Sequence, residues 1–129
     1  MTNQEILESN KIIAEFMGGK MIVENYHGIN IIKFPNGDTS DLCGLKYHTS
    51  WAWLMIVVER IESLGYYSTV NGCANSICHY CWFDEGGDGG DLPKDRIVLG
   101  YNSKNGESKI YTTWLACIEF IKWYNSQRK

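Results

Sequence analysis

A chain of 129 residues with 44% hydrophobic, 13% aromatic and 21% charged residues is long enough to bury a core of its own and too apolar to be a disordered segment. Its net charge of −3 and pI near 5.6 disfavour sequence-independent binding to phosphate backbones, which needs a basic surface. No apolar run approaches the ~20 residues of a bilayer span, the start Met1-Thr2-Asn3-Gln4-Glu5 lacks a leader pattern, and an odd count of five cysteines does not read as a closed disulfide framework, so a cytoplasmic setting with reduced thiols is expected.

Thr2 followed three residues later by Glu5 has the spacing of a capping box. From there Ile6, Ile13, Ala14, Phe16 and Met17 fall on one side of a helical wheel, and Gln4, Glu8, Lys11 and Glu15 on the other. Gly18-Gly19 ends this amphipathic helix. Two short β runs follow, 20–24 and 28–34, joined across Asn25-Tyr26-His27-Gly28. Pro35-Asn36-Gly37-Asp38 stops the second run, and a loop is expected through Asp41 and Cys43 to Tyr47-His48.

Ser50 then caps the most apolar segment of the chain, a helix over 51–64 that opens with eight apolar residues from Trp51 to Val58 and closes at Gly65. Leu54, Val57, Val58, Ile61 and Leu64 form its core side. Met55 and Ile56 point toward the solvent side marked by Glu59, Glu62 and Ser63, where polar residues are the norm. Segments 66–70 and 76–83 read as strands around the hairpin dipeptide Asn71-Gly72, with Cys73-Ala74-Asn75 lengthening the loop. An acidic, glycine-rich loop occupies 84–93, a fifth strand 96–101, and a last helix 107–125. In that helix Ile110, Trp114, Cys117, Ile118, Ile121 and Tyr124 share a face, with Leu115 and Trp123 opposite beside Glu119. The order α-β-β-α-β-β-β-α, with hairpins in place of helical crossovers, predicts a single α+β domain: a mainly antiparallel sheet of about five strands packed by three helices.

Several constellations bear on chemistry. Cys73, Cys78 and Cys81, with His79 between the last two, have the look of a zinc set. The segment reads as a strand, however, in which positions 78 and 81 face opposite sides, and a fourth ligand would have to come from distant Cys43, His48 or His27. Small buried thiols are the simpler reading, and no metal or other cofactor is expected. A Cys–His nucleophilic pair lacks any elbow or helix N-terminus to activate it. Gly86-Gly87-Asp88-Gly89-Gly90-Asp91 matches one copy of a calcium-binding nonapeptide that works only in tandem. A solvated loop is the plain reading of the segment. The sharper one is an acidic finger in which Asp84, Glu85, Asp88 and Asp91 enter a basic groove on a partner. P-loop, dinucleotide, H-E-x-x-H and G-x-S-x-G signatures are absent, so an enzyme is not expected. Met55, Ile56, Leu115 and Trp123 sit on expected outer faces and would mark a partner site or dimer seam if they cluster.

The segment Tyr47-His48-Thr49-Ser50-Trp51-Ala52-Trp53-Leu54-Met55-Ile56-Val57-Val58-Glu59-Arg60-Ile61-Glu62 resembles the pattern Y-H-[ST]-S-W-D-W-L-M-P-V-V-E-K-I-E of small phage and prophage proteins of Bacteroidota. Ile118-Glu119-Phe120-Ile121-Lys122-Trp123-Tyr124-Asn125 and the stretch from Asn10 to Gly18 are similar to the same group, so the likeness covers the three helices. Ala52 and Ile56 stand where the pattern has Asp and Pro, which makes this helix more apolar. The resemblance implies a phage accessory protein that binds and inhibits a host protein, such as a nucleic-acid-binding defence effector in the manner of anti-CRISPR inhibitors. It brings no catalytic residues with it. The alternatives are a protein that sequesters a small ligand or nucleotide signal in a Trp- and Tyr-lined pocket, and a structural homodimer.

Overall fold

The computed structural model describes residues 2–72, 79–84, 98–102 and 108–127. Helix α1 (Asn3–Phe16) begins at the predicted capping box: the Glu5 amide donates to Thr2 Oγ1 at 3.1 Å and the Thr2 amide to Glu5 Oε2 at 3.3 Å. It ends in a Schellman turn, with the amide of Gly18 bonded to Glu15 O and that of Gly19 to Ala14 O. Gly18 sits at φ +93°, and a Cβ on Gly19 would lie 2.8 Å from Ile32 Cγ2 and 2.9 Å from the Ala14 carbonyl. The first glycine serves the turn, the second the close approach of α1 to the sheet that follows.

That sheet is three-stranded and antiparallel, in the order β1 (Lys20–Tyr26), β2 (Ile29–Lys33), β3 (Thr39–Asp41). The turn between β1 and β2 is tighter than predicted: Asn25 and Tyr26 belong to the strand, Tyr26 pairs with Ile29, and His27 and Gly28 turn the chain with φ of 51° and 78°. Positive φ at both central positions matches the right-handed twist of the flanking strands. The Pro35-Asn36-Gly37 turn does more than end β2. It returns the chain as β3, where a loop was expected. Asp41 then caps a 3-10 turn, Leu42–Gly44, by accepting from the Gly44 amide at 2.7 Å.

Helix α2 (Trp51–Ser63) is capped by Ser50, whose Oγ accepts from the Trp53 amide, and stops at Gly65, φ +101°. Leu54, Val57, Val58 and Ile61 are buried as predicted; Leu64 is exposed instead, because the helix has already ended and the C-cap residue leaves the apolar stripe. Beyond it, β4 (Tyr67–Gly72), β5 (His79–Asp84) and β6 (Val98–Asn102) form a second three-stranded antiparallel sheet. Asn71 and Gly72 are not the turn predicted for them. They pair with Tyr80 and His79 in the β4–β5 ladder, and the connection, 73–78, lies outside the described residues. Among the described residues, two sheets of three strands thus replace the expected single sheet of about five, since each block pairs its strands in chain order and α2 separates the two blocks in the chain.

Helix α3 (Lys109–Gln127) starts at Ser108, whose Oγ accepts from the Tyr111 amide, and packs against β5, β6, α1 and α2. Its buried set is wider than one predicted face: Thr112, Thr113, Ala116 and Phe120 join Trp114, Cys117, Ile118 and Ile121. The two threonines are buried at little cost because their hydroxyls bond back to the carbonyls of Ser108 and Lys109. One continuous core cluster draws on α1, β2, the 45–47 segment, α2 and α3. Arg60 of α2 closes the remaining gap. Its Nε donates to the Phe16 carbonyl at the end of α1 at 2.9 Å, and its guanidinium lies 5.4 Å from the Phe16 ring centroid. No helix among the described residues is long and apolar enough to cross a membrane.

Candidate functional site

The predicted contact residues do not form one patch. Met55 and Ile56 are exposed, at 38% and 47%, and Trp51, one turn before Met55, is 39% exposed. Together with Ala52 they make an apolar strip along the outer side of α2. Leu115 and Trp123 do not join it: both are half-buried and packed on the core, Trp123 with its ring 6.1 Å from Tyr66 and 5.9 Å from Phe120. The expectation that they face outward fails because α3 is covered by a sheet and two helices, which leaves Glu119 and Lys122 as the exposed positions of its middle turns. Asp84 ends β5, paired with Tyr67 and Val98, while Glu85, Asp88 and Asp91 lie outside the described residues. Of the proposed cysteine–histidine set, Cys81 and His79 lie in β5, and Cys73 and Cys78 are outside the described residues; Cys43 is an exposed free thiol, and Cys117 is buried in α3. Among the described residues no group of three or more His, Cys, Asp or Glu is placed to hold a metal ion.

The apolar strip of α2 runs into a groove of about 1040 Å³, bounded by the end of α1, the 34–40 hairpin turn, the 44–47 segment and the first half of α2. Met17, Phe34, Pro35, Trp53 and Ile56 supply apolar wall, and Asn36, Asp38, Thr39 and Lys46 a polar one. The turn is braced from within: Phe34 N donates to Asp38 O at 2.8 Å, and Asn36 exchanges bonds with Asp38 through its amide at 2.9 and 3.0 Å. Tyr47 also lines the groove. It is 1% exposed, stands edge-on to Trp53 at 5.2 Å, and its hydroxyl has no hydrogen-bond partner among the described residues. Burial pushes this phenol up to about 12.

Beside Tyr47, His48 enters a polar network inside the core. Asn10, 1% exposed, accepts from Trp114 Nε1 at 2.9 Å and turns its Nδ2 toward Leu45 O at 3.4 Å and His48 Nδ1 at 2.9 Å. Indole can only donate and a carbonyl only accept, so the Asn10 amide has one orientation that satisfies both. His48 Nδ1 must then accept, which places the imidazole proton on Nε2. Burial lowers the His48 pKa below its ordinary 6.5, and the amide aimed at Nδ1 acts in the same direction. A lowered pKa in the folded state means that the unfolded chain binds the proton more tightly. Stability is therefore full above the ordinary imidazole range and declines as pH falls from 6.5 toward the folded value. The expected result is a melting temperature that drops on acidification through this window, with His48→Asn flattening that part of the profile; equal profiles for the two proteins would refute it.

Sequence reasoning missed both Asn10 and Tyr47. Asn10 had a signal: it occupies the apolar stripe, one turn after Ile6 and three residues before Ile13, where a polar residue must find partners. Tyr47 had none, since it lies in a loop with no periodicity to reveal burial. Comparison with protein-family models, with curated proteins and with solved structures finds no match to this chain.

Proposed function

We propose that the chain is a non-catalytic binding protein, a phage or prophage accessory factor that inhibits a host protein, with an RNA-guided defence nuclease as the target class. The observation that carries the binding reading is the strip Trp51, Met55 and Ile56, three large apolar side chains left exposed on a well-capped helix whose opposite side is fully buried. Glu59 and Glu62 continue the exposed side of the same helix, and the chain carries a net charge of −3, so the fitting partner surface is apolar at its centre with basic groups at its rim. The likeness of the helical segments to phage and prophage proteins supports the biological setting. Asp84, Glu85, Asp88 and Asp91 are proposed as a second contact, competing for a basic groove that otherwise holds nucleic acid.

Nuclease cleavage assays with the purified chain test this. Met55→Asp/Ile56→Asp should abolish inhibition, and neutralising the four acidic residues to Asn or Gln should weaken it by about tenfold at low salt, neither change lowering the melting temperature. Inhibition unaffected by both sets, or no inhibition of any RNA-guided nuclease, ends the reading. A dimer in light scattering that Ile56→Asp converts to monomer would put a second copy of this chain on the strip in place of a host protein.

A further inference from the structure

We propose that the groove between α2 and the 34–40 turn is a binding site for a small planar aromatic anion, with Tyr47 donating a hydrogen bond to an oxygen of its acidic group and Lys46 supplying the counter-charge. Tyr47 is the observation that points to a ligand. Tyr47 is 1% exposed and its hydroxyl has no partner among the described residues, and native structures rarely leave a buried hydroxyl without one unless something else completes the bond. Tyr47 lines the groove, and an oxygen bound there would accept from its hydroxyl. With the phenol pushed up to about 12, the O–H is intact throughout the physiological range and serves as a donor.

The rest of the lining sets the ligand's character. Phe34, Pro35, Trp53 and Ile56 present flat or apolar surface, which suits an aromatic ring system. Lys46 lines the same groove and forms no ion pair among the described residues, where Lys11–Glu15 is the ion pair present. Asp38, the acidic group of the wall, keeps its negative charge and accepts from the Asn36 amide within the turn. Lys46 has no acidic side chain paired with it among the described residues, and with the Tyr47 donor it marks the part of the groove that suits an anionic group. A volume of about 1040 Å³ accommodates a two-ring ligand with room for water. The site shares Ile56 with the protein contact proposed above, which otherwise uses the outer strip of α2 and does not involve Tyr47 or Lys46.

The probes are 8-anilinonaphthalene-1-sulfonate and its uncharged relative N-phenyl-1-naphthylamine, the same rings without the sulfonate, titrated against the full chain by fluorescence. The wild type should bind the sulfonate more tightly than the neutral probe. Tyr47→Phe, which removes one oxygen and keeps the apolar wall, should weaken sulfonate binding about 5–10-fold while leaving the melting temperature unchanged or higher. Lys46→Gln should erase the preference for the anion. Equal binding of the two probes by the wild type, sulfonate affinity unchanged in Tyr47→Phe, or a large fall in melting temperature for that variant, which would reveal a structural partner for the hydroxyl, each overturns the proposal. Nuclease inhibition is read separately, so either idea can fail without the other.

Discussion

Replacing Asn10 with leucine is expected to cost about 2–4 kcal/mol of folding stability, although it exchanges a polar side chain for an apolar one of similar size in the core. The reason lies in the partners left behind. Trp114 Nε1, donor only, loses its acceptor; the Leu45 carbonyl and His48 Nδ1 lose a donor. Trp114 is completely buried, so water cannot replace the lost bond without opening the core. The network also ties three parts of the chain that are far apart in sequence, with 104 positions between Asn10 and Trp114 and 38 between Asn10 and His48. Urea denaturation measures the loss. Pairing Asn10→Leu with Trp114→Phe should recover part of it, because the second change removes the orphaned donor; a coupling near zero in that cycle would show that the indole bond contributes nothing.

Phe120→Ala is expected to be the most damaging single truncation, at about 3–5 kcal/mol. The ring is fully buried and is the centre of an aromatic cluster: edge-on to Tyr66 at 4.9 Å and to Phe16 at 6.4 Å, stacked on Tyr124 at 5.9 Å with a 16° interplanar angle. Phe16 comes from the end of α1 and Tyr66 from the turn after α2, so this one side chain joins all three helices through contacts that individually add about 0.5–1.5 kcal/mol beyond area burial. Its neighbours are themselves rigid rings, which collapse poorly into a void. Phe120→Leu, which fills much of the space, should cost less than half as much. Chemical denaturation with an unchanged m-value reads both; a cost below about 1 kcal/mol for alanine would mean that the cluster repacks and does not depend on its central ring.

These two sites differ in how far a sequence reader can see them. Phe120 is an apolar residue of an apolar helix but lies off the face read as buried, whereas the exposed strip of α2 was legible directly, as apolar residues at positions where a 3.6-residue period calls for polar ones. Leu115 and Trp123 follow that periodic logic and break it, because α3 is enclosed by two helices and a sheet, so its outward face narrows to a few positions. A helical wheel describes one helix; how much of its circumference is covered depends on how many neighbours it has.

What the sequence determined by itself is local. The Thr2–Glu5 capping box, the Gly18-Gly19 exit, the Ser50 cap and the Gly65 stop each act within a few residues, through hydrogen bonds the chain makes with itself and φ angles glycine adopts without cost, and all four occur where they were read. Tertiary structure decided the rest. Asn71-Gly72 has the composition of a hairpin turn, yet pairing with Tyr80 and His79 draws it into a ladder. β3 exists because the chain returning from the 34–38 turn meets the free edge of β2, and Asn10, His48 and Trp114 become one network only when α1, the 45–48 segment and α3 converge. Strand pairing and the burial of loop and polar residues depend on partners distant along the chain, and a propensity worth a few tenths of a kcal/mol yields to the several kcal/mol that such contacts control.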